Sequence, residues 1–575
     1  MAWLRTGRAL AHYGLPRHST DVDLDNPPSA RWLRDSSPSI LTRLSGRRFA
    51  KLIWLLLTLL FFSALWCLLS IFNQPDPSRF RQHVQASLAL DPEAVSPGQR
   101  KLVIILPVDS PSPDLCKVVS SAVALGYPAP VLVNWKKDFR TGEEGVGPSH
   151  LGKVTGTLDF LDWATGPDVG DTDRLDDNDI ILMLDAHDVW LQLPPQVMMH
   201  RYFKSIQQAN LRLAQEVGFL ANDSVKHTTI ASAQKGCFAP RDPLSDLHCD
   251  QLPESILAPD VYGFLTDSKM FNWNSLRPRY VNSGSFMGPA GDMKRYFGRV
   301  RDKMDKHMRM LMDDQSLGGD QGIFSETFAE QELWRKRLRA NYAAGDEKGV
   351  EKTLKWRGTY EYHVSLDYTQ ELFYPTCYAE SDGFFVTLGE EKAVKTESAK
   401  LGVSPPRVAG VPDDVKEVES PLAMLDGIDE EEDSWGQLPL YADFWTTAVP
   451  VAVHHNAWKD GLKSRRVSWW DKTWYFPYLR RLIAAHSVPI NETGPLATIP
   501  AQNGVTLEVS PYDAERTQRS ALIFRGKSET EGWELHEAEW EGICKSDDDA
   551  ELEHPWFDEV FRDGNGPFKV GDMVP

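Results

Sequence analysis

The stretch Ile180-Ile-Leu-Met-Leu-Asp-Ala-His-Asp-Val-Trp190 decides how the rest of the chain is read. Its five leading residues are apolar, rich in β-formers and free of polar alternation, the pattern of a strand buried on both faces. Two carboxylates, Asp185 and Asp188, arrive where that strand should end. A charge at the tip of a buried strand needs a partner, and one divalent cation serves two acids. Ligands of open α/β sheets bind at the carboxyl ends of the strands. The same spacing also suits a turn whose Asp side chains accept from nearby backbone N–H groups, so the flanking sequence has to decide.

Upstream, Leu102-Val-Ile-Ile-Leu106 reads as another buried strand. Asp114 then caps a helix with Leu115, Val118, Val119 and Ala122 on one face and Gly126 at its end. Val131–Trp135 completes a βαβ unit. Leu151, Val154, Leu158 and Leu161 mark a further helix before Ile180. Downstream, Val197, Tyr202, Phe203 and Ile206 predict a helix, Thr228–Ser232 a strand, and Tyr280-Val281 another. Gly284 and Gly288 follow, positions that allow close backbone approach. Met293, Tyr296, Phe297, Val300 and Met304 recur at helical spacing, and Gly318–Gly322 opens a helix to about Ala340. Pro450–Trp458 holds a short strand ending in His454, His455 and Asn456. Alternating strands and helices predict an α/β fold, a mainly parallel, Rossmann-like sheet with helices on both faces.

The 575 residues carry a net charge of −20, which argues against a general nucleic-acid binder. Leu52–Phe72 is an uncharged run of 21 residues, roughly 30 Å as a helix, and reads as a transmembrane signal-anchor. Arginines and Lys51 precede it, so the positive-inside rule keeps residues 1–51 cytosolic, as a disordered tail, and makes the chain a type II single-pass protein. Residues 73–100 read as a stem and 101–480 as the main folded body. Residues 390–434, with 13 acidic and five basic residues, read as a disordered or loop insertion. Residues 481–575 form a C-terminal extension without a usable motif. Beyond the membrane the cysteines meet an oxidising compartment, where Cys237 and Cys249 pair on loop proximity. Asn222 and Asn491 begin sequons.

Several stretches together resemble a known family. Lys101–Ser110, Gly147–Lys153, Ile180–Leu191, Ile230–Pro240, Arg279–Gly288, Asp320-Gln321, Leu366-Asp367 with Phe373, and Val451–Asn456 are similar, in order, to the glycosyltransferase domain of the procollagen lysyl hydroxylases. The procollagen galactosyltransferases are more distantly similar. The resemblance implies a GT-A fold, a nucleotide-sugar donor (a UDP-sugar) and Mn2+ or another divalent cation. It implies metal ligation by Asp185, Asp188 and His454. It places the nucleoside near Val108, Asp109 and Ser110, where an ordinary turn before Pro111 is the other reading. On the residues themselves, Lys153 either neutralises a phosphate or opens a solvated helix, Asn282 and Ser283 with Gly284 either line the sugar pocket or form a turn, and Asp320 either orients the sugar or acceptor hydroxyl or caps its helix. Asn456 ends the Val-His-Gly-Asn motif, where this chain has His455 in place of Gly. The family's run of acids before Asp-Gln is reduced here to Gly318-Gly319, and nothing resembles an oxygenase domain.

Hard oxygen ligands with one imidazole suit manganese, which offsets the charge of a diphosphate leaving group. Side chains alternate along a strand, so His454 and His455 should point to opposite sides. The reading is a metal-dependent hexosyltransferase of the Golgi or endoplasmic reticulum membrane, acting on a protein or glycan acceptor. A metal-dependent phosphoesterase and a membrane-tethered carbohydrate-binding or scaffold protein with an inactive GT-A domain are the competing readings.

Overall fold

The computed structural model describes residues 54–63 and most of 90–568; the longest gaps are 138–148, 311–318 and 547–554. In chain order it forms β1 (Gly98–Pro107), α1 (Pro113–Ala124), β2 (Val131–Val133), α2 (Ser149–Ala164), β3 (Ile180–Leu184), β4 (Val189–Leu191) and α3 (Pro195–Val217). There follow β5 (Thr229–Gln234), β6 (Tyr280–Pro289), α4 (Ala290–Met308), α5 (Gln321–Ala343), β7 (Val364–Asp367) and β8 (Phe373–Pro375). The last strands are β9 (Gly383–Thr387), β10 (Pro439–Asp443), β11 (Ala452–His454), β12 (Ala497–Pro500), β13 (Thr506–Pro511), β14 (Ala521–Gly526) and β15 (Trp533–Ala538).

The chain is a mixed α/β protein built on a large, parallel-rich sheet of order β15-β14-β2-β1-β3-β6-β5-β7. The strands β14, β2, β1 and β3 run parallel, while β6 is antiparallel to both β3 and β5. Alternation splits the apolar runs between two cores, as a two-faced strand requires. Leu102, Ile104, Leu106, Ile180, Leu182 and Leu184 face α1 and α3. Val103, Ile105, Ile181 and Met183 face α2, α4 and α5. The N-terminus of α1 is capped by Ser112, which accepts from Leu115 N, rather than by Asp114. A separate small sheet, β4-β11-β8, carries the chain from the acids of β3 to the histidines.

Two expected boundaries are corrected. The acidic segment is not a disordered insertion: it holds the helix Glu391–Lys400, and Val394, Val403, Val415, Leu422 and Leu425 enter the core that also holds α1 and α3. Arg201, 3 % exposed on α3, binds Asp414 of this segment at 2.6 Å. Its buried valines and leucines order it despite its charge. Nor is 481–575 an appendage, because β13 pairs with the lower half of β1 and β14 with β2. Cys544 is disulfide-bonded to Cys116 of α1. Cys237 pairs with Cys249 as expected.

Of the run 52–72, residues 54–63 are helical with exposed side chains, and the rest lies outside the described residues. Among the described residues no helix is long and apolar enough to cross a membrane. The tail, most of the stem, Asn222 and Asn491 also lie outside them.

Candidate metal centre

Because β1, β2 and β3 are parallel, their carboxyl ends share one edge of the sheet. Asp185 leaves β3 with its N–H donating to Gly284 O of β6 at 2.8 Å. Asp188 opens β4, whose antiparallel partner β11 sets His454 opposite Val189. The His455 N–H donates to Asp188 O at 2.7 Å and closes the register. His454 Nε2 thereby lies 3.1 Å from Asp188 Oδ1 and 3.5 Å from Asp185 Oδ2. One ligand atom from each of these three residues lies within 4.8 Å of the others, so the group could hold a metal ion.

The imidazole is locked from behind. Asn282 Oδ1 accepts from Gly284 N at 3.0 Å, a contact only the amide oxygen can make, and lies 3.1 Å from His454 Nδ1. Nδ1 must then carry a proton and donate, which turns the remaining nitrogen, Nε2, toward the carboxylates. Gly284 is needed for this approach: a Cβ there would sit 2.2 Å from His454 Cε1. Burial alone would lower the His454 pKa, but the Asp188 and Asp185 carboxylates outweigh it and raise it above the usual value. Burial likewise opposes charge on Asp188, yet the His454 beside it holds that carboxyl well below the usual carboxylate range. His455 points the other way, its ring 4.0 Å from Trp190 and 6.1 Å from Trp469, and burial pushes its pKa down to about 3.

Lys153 of α2 is 2.6 Å from Asp185 Oδ1 and 2.9 Å from Asp320 Oδ2. Burial disfavours its charge, but those two carboxylates prevail and raise its pKa. Asp320, just before α5, makes no side-chain cap there. Burial would raise its pKa; Lys153, first among its polar partners, lowers it. Three carboxylates thus face one ammonium and one imidazole, leaving negative charge that a divalent cation would balance. The donor set fits such an ion.

A cavity of about 240 Å3 opens in front of the acids, lined by Val108, Asp109, Asn134, His150, Lys153, His187, Lys463 and Arg466 among others. Of the expected donor-binding residues, Val108, Asp109 and Lys153 line it. Ser110 instead donates to Asp109 Oδ1 at 2.9 Å. Asn456 accepts from Cys377 N at 2.9 Å and so shapes a turn. Asn282 and Gly284 serve His454, and the Ser283 carbonyl accepts from Lys153 at 3.0 Å. A wider groove of about 680 Å3, between Phe384, Trp474, Tyr478 and the Asp429–Glu432 turn, holds none of the candidate ligands. His150, His187, Lys463 and Arg466 were not singled out in the sequence; the basic pair shortly after His454 was the one visible signal.

No protein-family model matches this chain, and no curated protein is similar enough to it to count as a relative.

Proposed function

We propose that this chain is a metal-dependent glycosyltransferase of GT-A type that takes a UDP-sugar donor, with manganese held by Asp185, Asp188 and His454. The supporting observation is the convergence of those three side chains, from two chain-distant segments, at the carboxyl edge of a parallel sheet beside a cavity. The metal, when bound, would offset the charge that develops on the departing diphosphate. Val108 and Asp109 line the cavity where the nucleoside would lie, next to Asn134 at the end of β2. Lys463 and Arg466 bring positive charge to its wall, suited to the phosphates. The acceptor is a protein or glycan, and the setting is the Golgi or endoplasmic reticulum membrane, with residues 52–72 as a type II anchor.

The test is calorimetric titration of UDP into the fragment from residue 90 onward, with manganese and with chelator, followed by a donor screen. Manganese-dependent binding is expected; equal binding in chelator would overturn the reading. Hydrolysis of a phosphate ester is a second reading, favoured by His150 and His187 in the lining of the same cavity. Release of free phosphate from simple monoesters, without sugar transfer, would select it.

A further inference from the structure

We infer that the residue pair Asp320-Gln321, at the start of α5, positions the metal ligands: Asp320 sets Asp185 through Lys153, and Gln321 helps set His454 through Asn282. This rests on the proposed metal centre.

The first relay is a chain of ion pairs. Lys153 Nζ donates to the Ser283 carbonyl at 3.0 Å and is paired with Asp185 Oδ1 at 2.6 Å and with Asp320 Oδ2 at 2.9 Å. Asp320 Oδ2 is buried and accepts no hydrogen bond, so the ammonium is its electrostatic partner. Lys153 holds Asp185 Oδ1 while Oδ2 is turned toward His454 Nε2. One oxygen of Asp185 is thereby reserved for an ion. Asp320 shares the ammonium's charge. Without it, that charge would fall on Asp185 alone and compete with an incoming cation.

The second relay is an amide chain. Gln234 Nε2 donates to the Gly236 carbonyl at 2.6 Å, which leaves its Oε1 to accept from Asn282 Nδ2 at 2.8 Å. Gln321 Oε1 lies 3.4 Å from the same Nδ2, as a second, longer acceptor. Two acceptors on one side of Asn282 keep its oxygen on the other, against Gly284 N and His454 Nδ1. Outer partners of this kind set ligand orientation and tune metal affinity. Asp320 is on this account a positioning residue and touches no substrate.

The experiment is titration of the metal alone, with free manganese followed by electron paramagnetic resonance and no nucleotide present. Asp320→Asn should weaken manganese binding by about tenfold or more, and Asp320→Glu, which keeps the charge, should recover most of it. Gln321→Ala should weaken it less, because Gln234 remains. In a Lys153→Met background, Asp320→Asn should change affinity by no more than about twofold, since a residue acting through Lys153 has nothing left to act on. That double variant removes both charges together and serves if Asp320→Asn does not fold. Wild-type manganese affinity in folded Asp320→Asn with lost sugar transfer would overturn the inference and make Asp320 a substrate-facing group. An Asp320→Asn effect as large in the Lys153→Met background as alone would also overturn it. If the unaltered protein binds no manganese, or Asp185→Asn binds it equally well, the metal centre itself fails, which is a different outcome.

Discussion

Two buried lysines, each set against aspartates, show what separates a site from scaffolding. Lys153 meets Asp185 and Asp320, and Lys235 meets Asp382, with Asn274 O as a further acceptor and the Tyr262 ring 4.0 Å away. Both are nearly inaccessible. Around Lys235 the charges are absorbed. Asp443 accepts from Tyr374 Oη at 2.7 Å and from the Trp445 and Thr446 N–H groups at 2.7 and 2.9 Å. Burial, only partly offset by Lys235, pushes the Asp382 pKa up to about 7. Around Lys153, Asp185 Oδ2 and Asp188 Oδ1 instead face one imidazole nitrogen across a cavity wall. A buried Lys–Asp pair is thus no mark of chemistry; acids left with spare acceptor capacity beside a fixed imidazole are.

The comparison breaks if the two clusters respond alike. Asp185→Asn should cut sugar transfer roughly a thousandfold, about 4 kcal/mol, as expected for loss of a metal ligand, while the melting temperature changes little. A large loss of stability would place Asp185 with the scaffold. Lys235→Met should do the converse. It strands Asp382 without its cation and should cost about 3 kcal/mol of stability by denaturant unfolding, with manganese affinity within about twofold of wild type.

The adjacent histidines sharpen the contrast within one strand. His454→Ala should weaken manganese binding by about a hundredfold, near 3 kcal/mol. His455→Ala removes a ring packed on Trp190 and should act on thermal stability with little effect on manganese. If the two results are exchanged, His455 is the ligand and His454 the packing residue. The smallest effect concerns pH. An aspartate pKa raised in the folded state means the folded protein binds more protons than the unfolded one between about pH 4 and the raised value, so stability falls as pH rises across that window. For Asp382 it ends near pH 7. Asp382→Asn cannot lose a proton, so its stability deficit relative to wild type should shrink by about 1 kcal/mol or more between pH 5 and pH 7. A deficit that is constant with pH would show that Asp382 stays ionised throughout.

The β1–α1–β2 unit and β3 were legible because burial on both faces writes an unbroken apolar run into the chain. Asp185 and Asp188 were legible because acids at the tip of such a run conflict with local burial. The opposite facing of His454 and His455 followed from strand periodicity alone. Residues 390–434 misled, since counting charges hid Val394, Val403, Val415 and Leu422, whose burial orders the segment. The Lys153 contacts were not legible as a unit: α2, β3, β6 and the start of α5 meet only in three dimensions. For the same reason Thr506–Pro511 gave no sign that it pairs with β1, because a parallel partner some 400 residues away leaves no trace in local sequence.

That last pairing fixes an order of assembly. On one flank of β1 the neighbours are β2 along its upper half and β13 along its lower half, with β14 outside β2. A ribosome that has made everything up to residue 496 has released the metal ligands and most of the core, yet β1 and β2 still present unpaired backbone along that flank. Such an edge recruits other chains, and long-range parallel pairing forms slowly. The sheet therefore closes only after synthesis of the last strands, and a chain cut short before β12 should be retained or aggregate although its candidate metal ligands are all present.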